Sequence, residues 1–115
     1  MKSKAAHLLI RGEKWKAFIY DEISYADLHG ADSEAITLPD EKQIHFMPDA
    51  VTRKRCLHEL FHAYVSTLHL DAAEDLTNSD FEEALAYMFE EHMGKCLKQS
   101  LSLHRSLRRS LHRFF

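Results

Sequence analysis

After Pro48 this chain contains no further proline and a single glycine, Gly94, so almost nothing punctuates its second half. Leu57, Leu60, Phe61, Tyr64, Val65 and Leu68 recur there at spacings of three and four, which paints one apolar stripe along a helix. The pattern predicts a helix running to about Leu70, with Asp49 or Thr52 as its cap. A second helix is expected from Ser79 and Asp80, carrying Phe81, Leu85, Met88, Phe89 and His92 on one side until Gly94 ends or bends it. From Leu97 on, leucines at 97, 101, 103, 107 and 111 are interleaved with arginines, the pattern of a basic amphipathic third helix.

The first half reads differently. His7–Arg11 and Trp15–Tyr20 are short apolar runs on either side of a turn-capable Gly12-Glu13, and they predict a β-hairpin. Residues 21–35 are polar and read as a loop. Ala35–Leu38 and Gln43–Phe46 are strand-like, and Pro39 and Asp40 between them supply a turn, proline by fixing φ and aspartate by bonding its own backbone. The expected fold is α+β: a small, mainly antiparallel sheet followed by helices, with residues 1–96 as the body and 97–115 as a helix packed on it.

With 115 residues, 45% of them hydrophobic, the chain is one domain large enough to be stable without disulfides or a structural metal. No apolar run approaches the roughly 18 residues of a membrane span, and Leu8–Ile10 is too short for a signal-peptide core, so a cytoplasmic protein is expected. In that compartment Cys56 and Cys96 read as reduced, packed thiols. All 18 acidic residues precede position 95, leaving residues 1–94 at −9 and the rest at +6. A uniformly basic nucleic-acid binder is excluded, whereas a basic helix on an acidic body is not.

His58-Glu59-Leu60-Phe61-His62 is an H-E-x-x-H motif inside the strongest helical pattern of the chain. Four residues advance a helix by about 400°, so both imidazoles stand on one face, a turn apart, and can reach a single ion. Glu59, rotated about 100° from His58, stands beside the ligands, where a general base is needed to take a proton from a zinc-bound water. A catalytic zinc requires a third protein ligand, and Asp80, Glu82 and Glu83 open the following helix. Glu83 is preferred, because Ala86 allows close approach and Phe89 would anchor the helix pair. Glu82, nearer the apolar face, is the alternative.

The stretch from Arg55 to Ala63, followed by Glu82–Phe89, resembles the core of gluzincin-type metallopeptidases. It is most similar to small ImmA/IrrE-like and phage-encoded zincins, in which a short sheet precedes the H-E-x-x-H helix. The resemblance spans roughly residues 36–92. It implies zinc held by His58, His62 and Glu83, Glu59 as general base, and hydrolysis of peptide bonds in a protein substrate. No glycine turn and third histidine of the metzincin kind follow His62, and Cys56, two residues before His58, is misplaced for a deformylase-type ligand. His69, Tyr87 and His92 are candidates for an oxyanion donor.

The remaining histidines, 7, 29, 45, 104 and 112, read as surface or satisfied polar groups, and Trp15, Phe18 and Tyr20 as packing residues. The basic helix is expected to bury its leucines on the body and to solvate its arginines or pair them with the acidic part. A homodimer seam, a regulatory partner and nucleic acid are the other occupants considered for residues 97–115. The rival to a zinc peptidase is therefore a binding module with a zincin-like core that acts through this helix.

Overall fold

Arg11 and Gly12 both adopt positive φ, 47° and 84°, the backbone of a type I′ turn, and Ile10 pairs with Glu13 across them. The turn joins strand β1 (Lys2–Ile10) to β2 (Glu13–Tyr20), antiparallel with an irregularity between Lys4 and Ala6. The computed structural model describes residues 2–68 and 78–114. The expected hairpin is present, its turn one residue earlier than Gly12-Glu13. Strand β1 begins at Lys2 rather than His7, because its early residues carry no apolar alternation to announce it.

The loop expected over residues 21–35 contains a helix instead, α1 (Glu22–His29). Asp21 caps it by accepting a hydrogen bond from the Ser24 amide at 2.9 Å, and Gly30, at φ 86°, ends it. Tyr25 is its one buried residue, so there was no apolar periodicity to read. Strands β3 (Ala35–Leu38) and β4 (Gln43–Phe46) lie where the sequence places them.

The sheet order is β1-β2-β4-β3, with β3 and β4 antiparallel but β2 and β4 parallel. It is therefore a mixed sheet, a correction to the mainly antiparallel expectation. The physical reason is the segment holding α1 and β3: it returns the chain to its starting end, so that β4 runs alongside β2 in the same direction.

Thr52, and not Asp49, caps α2 (Arg53–Ser66), its hydroxyl accepting from the Arg55 amide at 3.1 Å. Asp49 lies in a 3-10 turn, Pro48–Ala50. The expected extension of α2 toward Leu70 stops at Ser66, and residues 69 and 70 fall outside the described residues. A single helix, α3 (Asn78–Phe114), replaces the two expected after it and runs through Gly94 without a break. A mid-helix glycine costs about 1 kcal/mol, less than the burial gained by Met88, Cys96, Leu103 and Leu107 along the same stripe. Phe89, expected to anchor this helix, is 69% exposed.

Trp15, Ala17, Ile19, Ile44 and Phe46 line one face of the sheet and pack against Leu60, Ala63 and Tyr64 of α2 and the buried stripe of α3. Phe18 and Tyr20, on alternate positions, point to the other face and cluster with Tyr25 and Met47. The architecture is α+β, a mixed four-stranded sheet with three α-helices among the described residues. None of these helices is long and apolar enough to cross a membrane.

Candidate metal centre

Helix α2 is amphipathic in the sense that decides the site: Cys56, Leu60, Ala63 and Tyr64 enter the core, which turns His58 and His62 outward. Their Nε2 atoms lie 3.2 Å apart. Two nitrogens each about 2.0–2.1 Å from one ion in tetrahedral geometry are separated by about 3.3 Å, close to the spacing of this pair.

Glu59 stands between the exposed and buried faces of α2 and is only 4% exposed. Burying a carboxylate requires partners, and it has them. The Thr37 hydroxyl on β3 lies 3.0 Å from Oε1 and 2.9 Å from the Glu59 carbonyl oxygen, and donates its proton between them. Arg55, one turn earlier, brings Nη1 to 3.6 Å from Oε2, and its Nη2 lies 3.9 Å from Glu34. His58 Nε2 is 3.9 Å from the same Oε2. Both contacts to Oε2 exceed hydrogen-bonding distance, so this oxygen keeps its acceptor capacity toward the side where the histidines meet.

An open cleft of about 700 Å³ lies over these residues, within the size range of ligand pockets. Ile36 and Thr37 of β3, Val65 of α2 and Leu85 of α3 line it together with His58, Glu59 and His62. Strand β3 is one of the sheet's two edges, and it forms one wall.

Among the described residues, no group of three His, Cys, Asp or Glu side chains is close enough to share an ion. The structure gathers His58, His62 and Glu59; Glu82 and Glu83 stand exposed in the first turns of α3, outside that group. Ala86 and Phe89, expected to bring α3 close to α2 beside Glu83, are both exposed. Counted at about 100° per residue from Leu85, Glu82 lies about 60° away and Glu83 about 160°, so Glu82 is nearer the cleft side of α3.

Tyr87 and His92, considered as oxyanion donors, face elsewhere. They contact each other at 3.4 Å, and His92 lines a separate recess with Arg11 and Lys95. Burial, and then the charges of Arg11 and Lys95, push the His92 imidazole below its ordinary value. His69 lies outside the described residues.

The thiols behave as the sequence suggests. Burial pushes Cys56 up to about 12 and Cys96 up to about 11, which leaves both protonated and unreactive near neutrality. Two residues that hold Glu59 were not singled out from the sequence. Arg55 had a visible signal, the i,i+4 spacing to Glu59, whereas Thr37 reaches it only through tertiary folding. Comparison with models of protein families, with curated proteins and with solved structures finds no match.

Proposed function

We propose that this protein is a zinc-dependent metallopeptidase that hydrolyses peptide bonds of a protein substrate in the cleft between α2, β3 and the start of α3. The observation that carries this reading is the convergence of two imidazoles 3.2 Å apart with a buried, tethered carboxylate beside them. It adds geometry to the H-E-x-x-H motif and to the zincin resemblance.

His58 and His62 would hold the zinc, whose chemistry when bound is Lewis acidity toward the scissile carbonyl. Glu59 does the proton work. Thr37 immobilises Oε1, so that Oε2 takes a proton from the attacking water and then passes it to the leaving amine. Ile36, Val65 and Leu85 give the open cleft an apolar lining against which side chains of the peptide can pack. The third ligand is assigned to the Glu82–Glu83 pair: the resemblance favours Glu83 and the phase of α3 favours Glu82.

Elemental analysis of the purified protein tests the site directly. One equivalent of zinc in the wild type, lost in His62→Ala, is the expected result. Glu59→Gln should retain zinc while losing hydrolysis of a casein or peptide-library substrate, and full activity in that variant would remove Glu59 from the mechanism. Glu82→Ala and Glu83→Ala should differ in zinc affinity, and the weaker binder identifies the ligand.

A further inference from the structure

Beyond the cleft, the strongest unassigned feature is a row of cations along α3. At about 100° per residue, Lys95, Lys98, Arg105 and Arg109 fall within one arc of about 80°, on the side facing away from Cys96, Leu103 and Leu107. All four are exposed, and none makes an ion pair with a described carboxylate. Ser102 fills the one gap in the row, and Arg113 continues it. At about 1.5 Å per residue the row from Lys95 to Arg113 is about 27 Å long, with a cation or serine at nearly every turn. No acid occurs after Glu91.

The row ends in a recess of about 400 Å³ between α3 and the β1–β2 turn, where Lys95 and Lys98 meet Arg11 and His92. Arg11 is held in place there. Its Nη1 donates to the carbonyl and hydroxyl oxygens of Thr67, each at 3.1 Å, and the guanidinium lies 5.9 Å from the Tyr87 ring centroid. Nε and Nη2 make no bond to a described residue, which leaves a fixed donor edge of the kind that suits a phosphate.

We propose that this row and recess bind the phosphate backbone of a nucleic acid, independently of the peptidase reading. A regular line of point charges on a rigid helix matches a polymer with a regular line of opposite charges. The −9 carried by residues 1–94 repels such a polymer elsewhere and so orients it on α3. A membrane surface is a poorer fit. The apolar stripe of α3 is spent in the core, and the exposed Leu97 and Leu101 lie on its flank, outside the cationic arc.

The test is fluorescence anisotropy of labelled 20-base-pair duplex and 20-nucleotide single-stranded DNA against the full chain. Binding is expected to fall with salt, at a log–log slope of about −4 for duplex from four or five phosphate contacts. Lys98→Glu/Arg105→Glu should weaken it at least tenfold with an unchanged circular dichroism spectrum. Lys14→Glu/Lys16→Glu, the same charge change on exposed positions of β2, should weaken it far less. Equal loss in the two double variants would reduce the effect to net charge and overturn the proposal. So would absence of binding at 50 mM salt, or binding only to phosphatidylserine vesicles.

Discussion

Replacing His45 by glutamine should flatten the acid side of this protein's stability curve. His45 is 5% exposed beneath α1, its Nδ1 3.0 Å from His29 Nε2 and its Nε2 2.8 Å from Gln43 Oε1. That chain is satisfied by a neutral ring which accepts from His29 and donates to Gln43. Burial, and then the nearby His29 and Lys2, lower its pKa from 6.5 to about 4. The sign follows from counting protons. Between these two values the unfolded chain protonates residue 45 and the folded one does not, so acid draws the equilibrium toward the unfolded state. Nothing is lost above pH 6.5; below it stability falls by up to about 1.4 kcal/mol per pH unit and by about 3 kcal/mol in all near pH 4. Against a total of about 5–15 kcal/mol, that loss is large.

Glutamine keeps the acceptor toward His29 and the donor toward Gln43 but does not titrate. Urea denaturation followed by Trp15, the single tryptophan and 1% exposed, should give parallel stabilities for the two proteins at pH 7–8. They should diverge below pH 6.5, with the wild type losing about 3 kcal/mol more by pH 4. The other histidines are common to both proteins and cancel in the difference. Profiles that stay parallel down to pH 4 would refute the reasoning, because residue 45 would then be protonated as readily in the fold as out of it.

Leu107→Ala, at a fully buried site, should cost about 2–5 kcal/mol, whereas Leu101→Ala, 49% exposed on the same helix, should cost less than about 1 kcal/mol; urea midpoints compare them. Thr52→Ala should destabilise by about 1 kcal/mol through loss of the α2 cap, and Thr52→Ser should restore most of it. Cys56 and Cys96 should resist an aromatic disulfide reagent at pH 8 in the native protein and react in urea; rapid native labelling would contradict their burial.

The parts of the fold legible in the sequence are those whose signal is local. Strands β3 and β4 show as short strand-like runs on either side of the Pro39-Asp40 turn, and α2 as an apolar stripe. Helix α1 escaped notice because Tyr25 alone enters the core; its caps, Asp21 and Gly30, were the only available signs. The parallel pairing of β2 with β4 depends on where an intervening segment leads the chain, which no strand's own residues encode. At the candidate site, His58, Glu59 and His62 share a helix, so spacing alone placed them. Thr37 lies 22 residues from Glu59 in the chain and meets it only through the docking of β3 on α2. Gly94 misled for the opposite reason: its local preference to end a helix is outweighed by the buried stripe that continues on both sides of it.

The closure of the core also has a temporal side. Gln99 on α3 donates to the Leu9 carbonyl of β1 at 2.7 Å, and Trp15 shares its core with Leu103 and Leu107. These partners are among the most widely separated in the chain, so closing the loop between them is entropically expensive until much else is in place. As the polypeptide emerges from the ribosome, the sheet and α2 are made first and must wait with their apolar faces uncovered until residues 96–111 follow. Completion of the core therefore waits on α3, and the partly made protein is most exposed to aggregation before residues 96–111 can dock.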